Sequence, residues 1–476
     1  MSELLLDELK NAQREHWLPK NERKTILLLS DDLRMPSGVG IISREIVLGT
    51  CHRFNWIQLG AAVAHPEVGK ALDLGMSVET EIGVKDAAVK VIPYNGYGDQ
   101  QILRHLIKSE KPDMIVHFTD PRFWIWLYQM EHEVRTQCPL VFYHVWDNVP
   151  FPYYNKNYYR SCDAIFNISK QTHNIVRNVL DEPTEPWQIK YIPHGVDENI
   201  WRRYTEIDDL SRTETLKQQF FGDDVVDFVV LYNNRNIRRK STSDVILAYR
   251  DFILTLPEAK QETCRLLLHT APVDENGTDL IAVLRDVAPE VKYVFSHNRV
   301  APTTMVDIYN LVDVVINLAS AEGFGIGTLE AMMSERMIIA NVTGGLQDQM
   351  GFVDENGDNL DPEIHFNNEW QTNSTGKYKT HGKWVVPVFS NNHTLIGSPT
   401  TPYIWEDRAD YRDAAVALRT VYDMTVEQRL ENGKLGRKYA EAVGMTTSGM
   451  SQRFIDALDG VFTNWKPRAK IGIYKA

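Results

Sequence analysis

The sequence predicts an α/β protein built from two doubly wound parallel sheets that face one another across a cleft. Three observations predict it. The chain has 476 residues, more than a single hydrophobic core organises, so two large domains are expected. Apolar runs of strand length alternate with helical patterns, and that alternation requires parallel crossovers. After a polar stretch over 198–224, the alternation starts afresh near Phe228.

Taken in order, the elements read as follows. Residues 1–20 are charged, with Leu4, Leu5, Leu6 and Leu9 on one side of a short helix; a packing arm is the first reading and membrane-surface binding the second. Thr25–Leu29 is a continuous apolar run, fit for a strand buried on both faces. The loop Pro36–Gly40 follows, and a helix from Ile41 carries Ile42, Ile46 and Val47. Strands are expected at Trp56–Leu59, Met114–Phe118, Leu140–His144 and Ala164–Phe166, with helices between them; Tyr191–Asp197 closes the unit. In the second unit, Phe228–Tyr232 runs into a basic loop ending at Lys240. Leu266–His269, Tyr293–Phe295, Val314–Ile316 and Ile338–Ala340 are its further strands. Leu346–Trp405, rich in Asn, Asp, Gly, Thr and Pro, breaks the alternation and reads as an insertion with short strands such as Lys383–Phe389. Helical patterns return from Asp407, and a last helix covers Met450–Phe462. The expected domains are 1–205, completed by 445–476, and 206–444, with the insertion at about 346–405.

Composition narrows the function. A formal net charge of −13 argues against a broad nucleic-acid-binding surface, though not against a local groove lined by Arg122, Lys156, Arg160 and Arg177. The four cysteines are scattered, without metal-ligand spacing, and read as reduced thiols. Residues 1–20 lack a signal-peptide core, and no apolar run reaches the roughly 18–20 residues of a membrane span. A cytoplasmic protein, at most peripheral at a membrane, is the expectation.

In open parallel sheets, ligands bind beyond the carboxyl ends of strands, so the loops there carry the chemistry. Glu322 and Glu330 flank Gly323, Gly325 and Gly327, between an apolar strand and a helical pattern. Such a turn presents free N–H groups and the positive end of a helix to a ligand. It also serves merely to pack a helix close to a sheet, but the two glutamates call for more, because burying an unpaired carboxylate is costly. Arg235 and Lys240, with Arg238 and Arg239 between, suit an anionic ligand; a solvated basic loop is the competing reading. Gly38-Val39-Gly40 lets backbone N–H groups approach an anion, or simply turns the chain into a helix. His144 ends a strand and can reach the cleft, although a lone histidine is more often structural. Phe151–Tyr159 either stacks on rings of a ligand or packs on a helix. No nucleophile triad, zinc motif, Walker loop or Asp-x-Asp strand end stands out, so neither metal nor cofactor is expected.

Together these residues resemble the retaining glycosyltransferases of family four, which have the GT-B fold. Glu322 to Glu330 is similar to that family's E-x7-E motif. Tyr191–Asp197 resembles its I-P-N-G-V-D segment, with His194 in place of Asn. Arg235 and Lys240 resemble its phosphate pair, Gly344-Gly345 its glycine pair, Gly38–Gly40 its first loop, and His144 its strand-end histidine. The resemblance implies two Rossmann-like domains, the first on the acceptor side and the second holding the donor, with the C-terminal helix crossing back to the first. It implies transfer of a sugar from a UDP- or GDP-sugar co-substrate to an acceptor hydroxyl, with retention and without metal. Arg235 and Lys240 would neutralise the diphosphate and Glu330 would bind the ribose. Glu322, with the Phe324 and Gly325 backbone, would hold the sugar. Gly38, Val39 and Gly40 would close over the diphosphate, and His144 would stand near the reacting carbon. A GT-B-fold sugar-nucleotide epimerase or hydrolase, or a binding protein with a degenerate site, are the alternatives. The expected acceptor is a carbohydrate or lipid-linked sugar, with a hydroxymethylated DNA base as the lower-ranked alternative.

Overall fold

A computed structural model of the chain describes residues 17–297, 299–366, 372–374 and 376–470. The arm helix expected over 1–20 falls almost wholly outside them. The first sheet has eight strands: β1 (Lys24–Asp31), β2 (Phe54–Ala61), β3 (Leu72–Asp73), β4 (Val89–Pro93), β5 (Met114–Phe118), β6 (Leu140–His144), β7 (Ala164–Asn167) and β8 (Ile189–Tyr191). Their order is β3-β4-β2-β1-β5-β6-β7-β8, and all neighbours are parallel except β3 with β4. β1 shows why its run is uninterrupted. Ile26 and Leu28 enter one apolar cluster, Leu27 and Leu29 the cluster on the opposite face, and none of the four is exposed.

The second sheet has six parallel strands: β9 (Phe228–Asn233), β10 (Cys264–His269), β11 (Tyr293–Phe295), β12 (Val314–Asn317), β13 (Met337–Asn341) and β14 (Val385–Val388). Their order is β11-β10-β9-β12-β13-β14. β14 differs from expectation. It belongs to the core sheet, paired with β13 from Ile338↔Val385 to Asn341↔Val388, and is not a strand of an insertion. The irregular span is therefore split. Its first part is a crossover with no α-helix among its described residues, which is why no helical period announces it. Pro387 fits because β14 is an edge strand, where one side needs no ladder donor. Its second part forms a separate antiparallel hairpin, β15 (Asn392–Ser398) with β16 (Thr401–Arg408).

The last helix, Thr447–Asn464, crosses from the second domain to lie on the helix Gly38–Thr50 of the first. Thr447 Oγ1 donates to Glu45 Oε2 at 2.8 Å, and Arg53 donates to Asp459 at 2.7 Å. Among the described residues no helix is long and apolar enough to cross a membrane.

The return is seeded where Val196 bridges Thr446 and accepts from Thr447 N at 3.0 Å. Gly195 permits this approach, since a Cβ there would lie 2.0 Å from Thr446 O, and neither backbone can yield alone. Gly195→Ala is expected to cost about 1–3 kcal/mol of stability through overpacking. Urea unfolding reads this, and an unchanged midpoint would show that the crossing tolerates the wider gap.

Candidate active site in the interdomain cleft

β12 ends at Asn317, and the chain turns through Glu322–Gly325 into the helix Ile326–Met333. Gly325 has φ +88°, a left-handed conformation that a side chain strains, and it starts the helix. A second turn lies directly on the first. Gly345 N donates to Glu322 O at 2.9 Å, and a Cβ on Gly345 would sit 2.1 Å from Gly323 O. Gln349 Nε2 donates to the carbonyls of Phe324 (2.7 Å) and Gly325 (3.0 Å). The helix start, Gly325 to Thr328, lines a cavity of about 350 Å³ between the domains, and Thr328 N is already bonded to Gly325 O at 3.2 Å.

The charged groups at this cavity come from two loops; Glu322 and Arg239 line it, while Lys240 packs against Glu322 without lining it. A short 3-10 turn, Arg238–Lys240, follows β9 and is tied to the β12 loop where Ser320 N donates to Arg239 O at 2.7 Å. It places the Lys240 ammonium directly against Glu322 Oε2, both residues less than a tenth exposed. Burial, and then the neighbouring Arg239 guanidinium, push Lys240 well below the usual lysine range. Arg239 Nη1 donates to Ala321 O at 2.7 Å and lies 3.9 Å from both Glu322 and Asp147. Arg235 does not join them. Its Nε donates to Asp274 Oδ2 at 2.9 Å, its side chain is 65% exposed, and it borders neither cleft cavity. The cation beside Lys240 is Arg239.

Glu330 stands on the helix, does not itself line the cavity, and meets Tyr309 OH at 2.9 Å. The same hydroxyl lies 2.9 Å from Gly327 O and accepts from Asn233 Nδ2 at 2.8 Å. A phenol has one proton, so Gly327 O and an ionised Glu330 compete for it; a protonated Glu330 donates instead, and every group is satisfied. Burial raises the Glu330 carboxyl to about 7, with the Tyr309 hydrogen bond opposing the rise.

From the first domain, Gly38 and Val39 line the cavity, and a Cβ on Gly38 would come within 3.8 Å of Ile326 Cδ1 across it. Gly40 does not line it. A Cβ there would meet Met35 O at 2.3 Å, so its role is to let the loop fold under the helix, whose N-cap Ser37 accepts from Gly40 N at 3.0 Å. The Phe324 ring is buried edge-on to His194, 5.0 Å between centroids. His194 is bonded to Tyr143 OH, and burial lowers it to about 3.

His144 borders a second cavity of about 590 Å³, not the first. Its Nδ1 meets Asn167 Oδ1 at 3.1 Å and its Nε2 meets Tyr159 OH at 2.9 Å, so both nitrogens are engaged. Burial lowers it to about 3, which makes it a neutral ring, protonated on Nδ1 and accepting from Tyr159. The two cavities adjoin at Val145, Asp147 and Arg239, which line both. Asp147 and Arg239 carry no weight in the sequence reading because no motif marks them; their proximity to His144 and Lys240 in sequence was the available signal. A more open hollow of about 730 Å³ between Arg177 and Glu363 shares none of these residues. Of the basic groove considered for DNA, the three arginines are each paired with a carboxylate. Arg122 is paired with Asp120, Arg160 with Glu182 and Arg177 with Glu363, and the three arginines border different hollows.

No protein-family model matches the chain, and no curated protein matches it in sequence. Solved structures do resemble it in fold. Anabaena HepE in complex with UDP and glucose superposes with TM-score 0.59 at 14% identity, covering 92% of this chain and 100% of that one. Sucrose-phosphate synthase from Thermosynechococcus elongatus gives TM-score 0.61 at 14% identity, over 93% and 100%. The α,α-trehalose 6-phosphate synthase of Burkholderia multivorans gives 0.59 at 12%, over 93% and 99%. The chain thus has the GT-B fold: two facing Rossmann-like domains, closed by a C-terminal helix that returns to the first.

The raised Glu330 carboxyl carries a linkage. Its folded pKa of about 7 lies above the ordinary 4.5, so the folded chain binds more protons between those values and loses stability as pH rises through them. Glu330→Gln, a standing mimic of the protonated form, is expected to be more stable than the wild type at pH 8 and equal to it at pH 4.5. Thermal melts across this range check the sign; a gain that does not grow with pH contradicts the burial argument.

Proposed function

We propose that the chain is a glycosyltransferase that moves a sugar from a nucleoside-diphosphate sugar to an acceptor hydroxyl. The observation that carries this reading is the buried Lys240–Glu322 contact with Arg239 beside it, at the mouth of a Gly-rich helix start in the interdomain cleft. A dianionic diphosphate suits that place. It would take over Lys240 from Glu322, favour the ammonium form that burial opposes, and accept from Arg239 and the N–H groups of the helix start. Glu322, released from Lys240, is then free to accept from hydroxyls of the transferred sugar. Glu330, held by Tyr309 one turn further in, suits the ribose. The order of these residues supports the family-four reading. The complexes of HepE with UDP and with UDP-glucose support a uridine nucleotide as donor.

In the proposed reaction the anomeric C–O bond to the diphosphate breaks, and its electron pair leaves on the nucleotide. Lys240 and Arg239 stabilise that charge electrostatically, the task a metal performs elsewhere. The acceptor oxygen bonds the same face of an oxocarbenium-like carbon, its proton passing to the departing phosphate oxygen, so configuration is retained. His144, neutral with both nitrogens engaged, acts as a fixed wall and not as a base. The second cavity, opening directly onto the junction, favours transfer to an acceptor over epimerisation or hydrolysis of the donor.

Turnover of UDP-glucose and GDP-mannose, read as nucleotide release, tests the reading. Lys240→Met and Arg239→Met are each expected to lose about 100-fold or more in kcat, as when one preorganised charge-stabilising donor is removed. Arg235→Met, altered outside the cleft, should retain wild-type turnover. Equal losses at Arg235 and Arg239 would return the phosphate role to Arg235. A wild-type chain that neither binds UDP or GDP nor turns over a donor would remove the glycosyltransferase reading itself.

A further inference from the structure

The β15–β16 hairpin has no place in either core sheet, yet it is held from both sides of the cleft. At its root, Asp407 N donates to Ser320 O at 3.1 Å, Asn341 Nδ2 donates to Asp407 O at 2.8 Å, and His393 Nδ1 meets Asp407 at 3.1 Å. These are contacts within the second domain. Further out, Trp405 N donates to Val149 O (2.8 Å), Asn148 Nδ2 to Trp405 O (2.7 Å), and Tyr154 OH to Tyr403 O (2.9 Å), all to the first domain. Arg122 also reaches Thr401 Oγ1. A two-stranded hairpin alone is marginal, so these anchors are what give it a fixed position. Ser320 is shared, because its N–H bonds Arg239 O while its carbonyl bonds the hairpin root. The wall of the second cavity is thereby in register with the cations of the first.

From the geometry we infer that this hairpin is the acceptor-selecting wall, and that the cavity it closes admits an uncharged sugar residue with one hydroxyl directed at Asp147. The inference rests on the glycosyltransferase reading and adds to it the acceptor class and the element that chooses it. The cavity, about 590 Å³, lies within the roughly 300–1,000 Å³ range of small-ligand sites. Its charges are largely spent on one another. Asp120 accepts from Arg122 at 2.9 Å, and Glu406 accepts from Arg408 at 3.0 Å. Arg238 is the exposed exception. The hairpin contains no lysine, and its one arginine is Arg408, so it offers no track for a phosphate backbone. What remains is amphipathic: Ile396, Ile404 and Trp146 against the C–H face of a ring, with Ser398, Thr401 and Asn148 for hydroxyls. Asp147 is the carboxylate common to both cavities, so it can accept from the hydroxyl that attacks across the junction.

Ile396→Trp fills this cavity from the hairpin without touching the donor residues. The full chain is assayed with radiolabelled UDP-glucose and GDP-mannose against neutral p-nitrophenyl glycosides, anionic sugar phosphates and a hydroxymethylcytosine oligonucleotide. Nucleotide affinity and donor hydrolysis in water are followed in parallel. The expected result is transfer by the wild type to a neutral glycoside, with acceptor KM raised about tenfold or more in Ile396→Trp. Its nucleotide affinity and donor hydrolysis should be unchanged, which also shows that the variant folds. Leu395→Val, on the same strand but outside the cavity lining, should transfer like the wild type. An acceptor KM indifferent to Ile396→Trp overturns the inference, as does transfer confined to the phosphates or the oligonucleotide, or to nothing in the panel despite donor turnover. Loss of nucleotide binding in Ile396→Trp overturns it too, since the wall would then serve the donor. A wild type without nucleotide binding removes both this inference and the glycosyltransferase reading, and is told apart by failing in the donor arm.

Discussion

At the base of the cleft a lysine and a glutamate touch with almost no water around them, and the loops on both sides are arranged to make that tolerable. Desolvating two charges costs more than their attraction returns unless the geometry is rigid and the remaining polar atoms are satisfied. Here Lys240 and Glu322 arrive from different strands, so the pair holds only if the two loops keep their spacing. Ser320 N bonded to Arg239 O and Gly345 N bonded to Glu322 O keep it. The glycines follow from the same demand: any Cβ at Gly345 would push the two turns apart. The ion pair is thus weak as a source of stability and strong as a constraint on shape. A diphosphate that displaces Glu322 inherits a site whose backbone is already in place, which is the preorganisation that charge stabilisation needs.

That constraint explains how the cleft divides. The loop that presents Arg239 to the smaller cavity also carries Arg238, which borders the larger one. Asp147 sits where they meet because it follows β6, the strand whose end holds His144. Neutral His144, fixed by Asn167 and Tyr159, is then a support for the junction, and its low pKa is a consequence of burial and not a sign of acid–base work.

Much of the fold was legible in the sequence because parallel strands buried on both faces leave continuous apolar runs, as Ile26–Leu29 does. The strand at Lys383–Phe389 was legible too, but not its place in the core sheet as β14, because its crossover has no α-helix among its described residues. Of the candidate site, Glu322 was legible from residue type and spacing, as were Lys240, which packs against it, and Glu330, further along the helix that lines the cavity. Arg235 was misplaced for a physical reason: four cations in six residues look alike as letters, and only the 3-10 turn at Arg238–Lys240 decides which of them faces inward. Gly38 and Gly40 were likewise indistinguishable until the carbonyl of Met35 was seen against Gly40.

The hairpin carries this reasoning one step further. GT-B domains joined by a linker and one returning helix are free to change their separation, and a ligand that closes them must supply the free energy of closure. In this chain the hairpin adds cross-cleft hydrogen bonds at Trp405, Tyr403 and Thr401. Opening by a hinge at the linker would break those bonds together. The arrangement therefore holds the second cavity shut on its hairpin side. If that cavity takes the acceptor, as proposed, selection there depends on the fit of a fixed wall, because the wall is anchored in both domains before any ligand arrives.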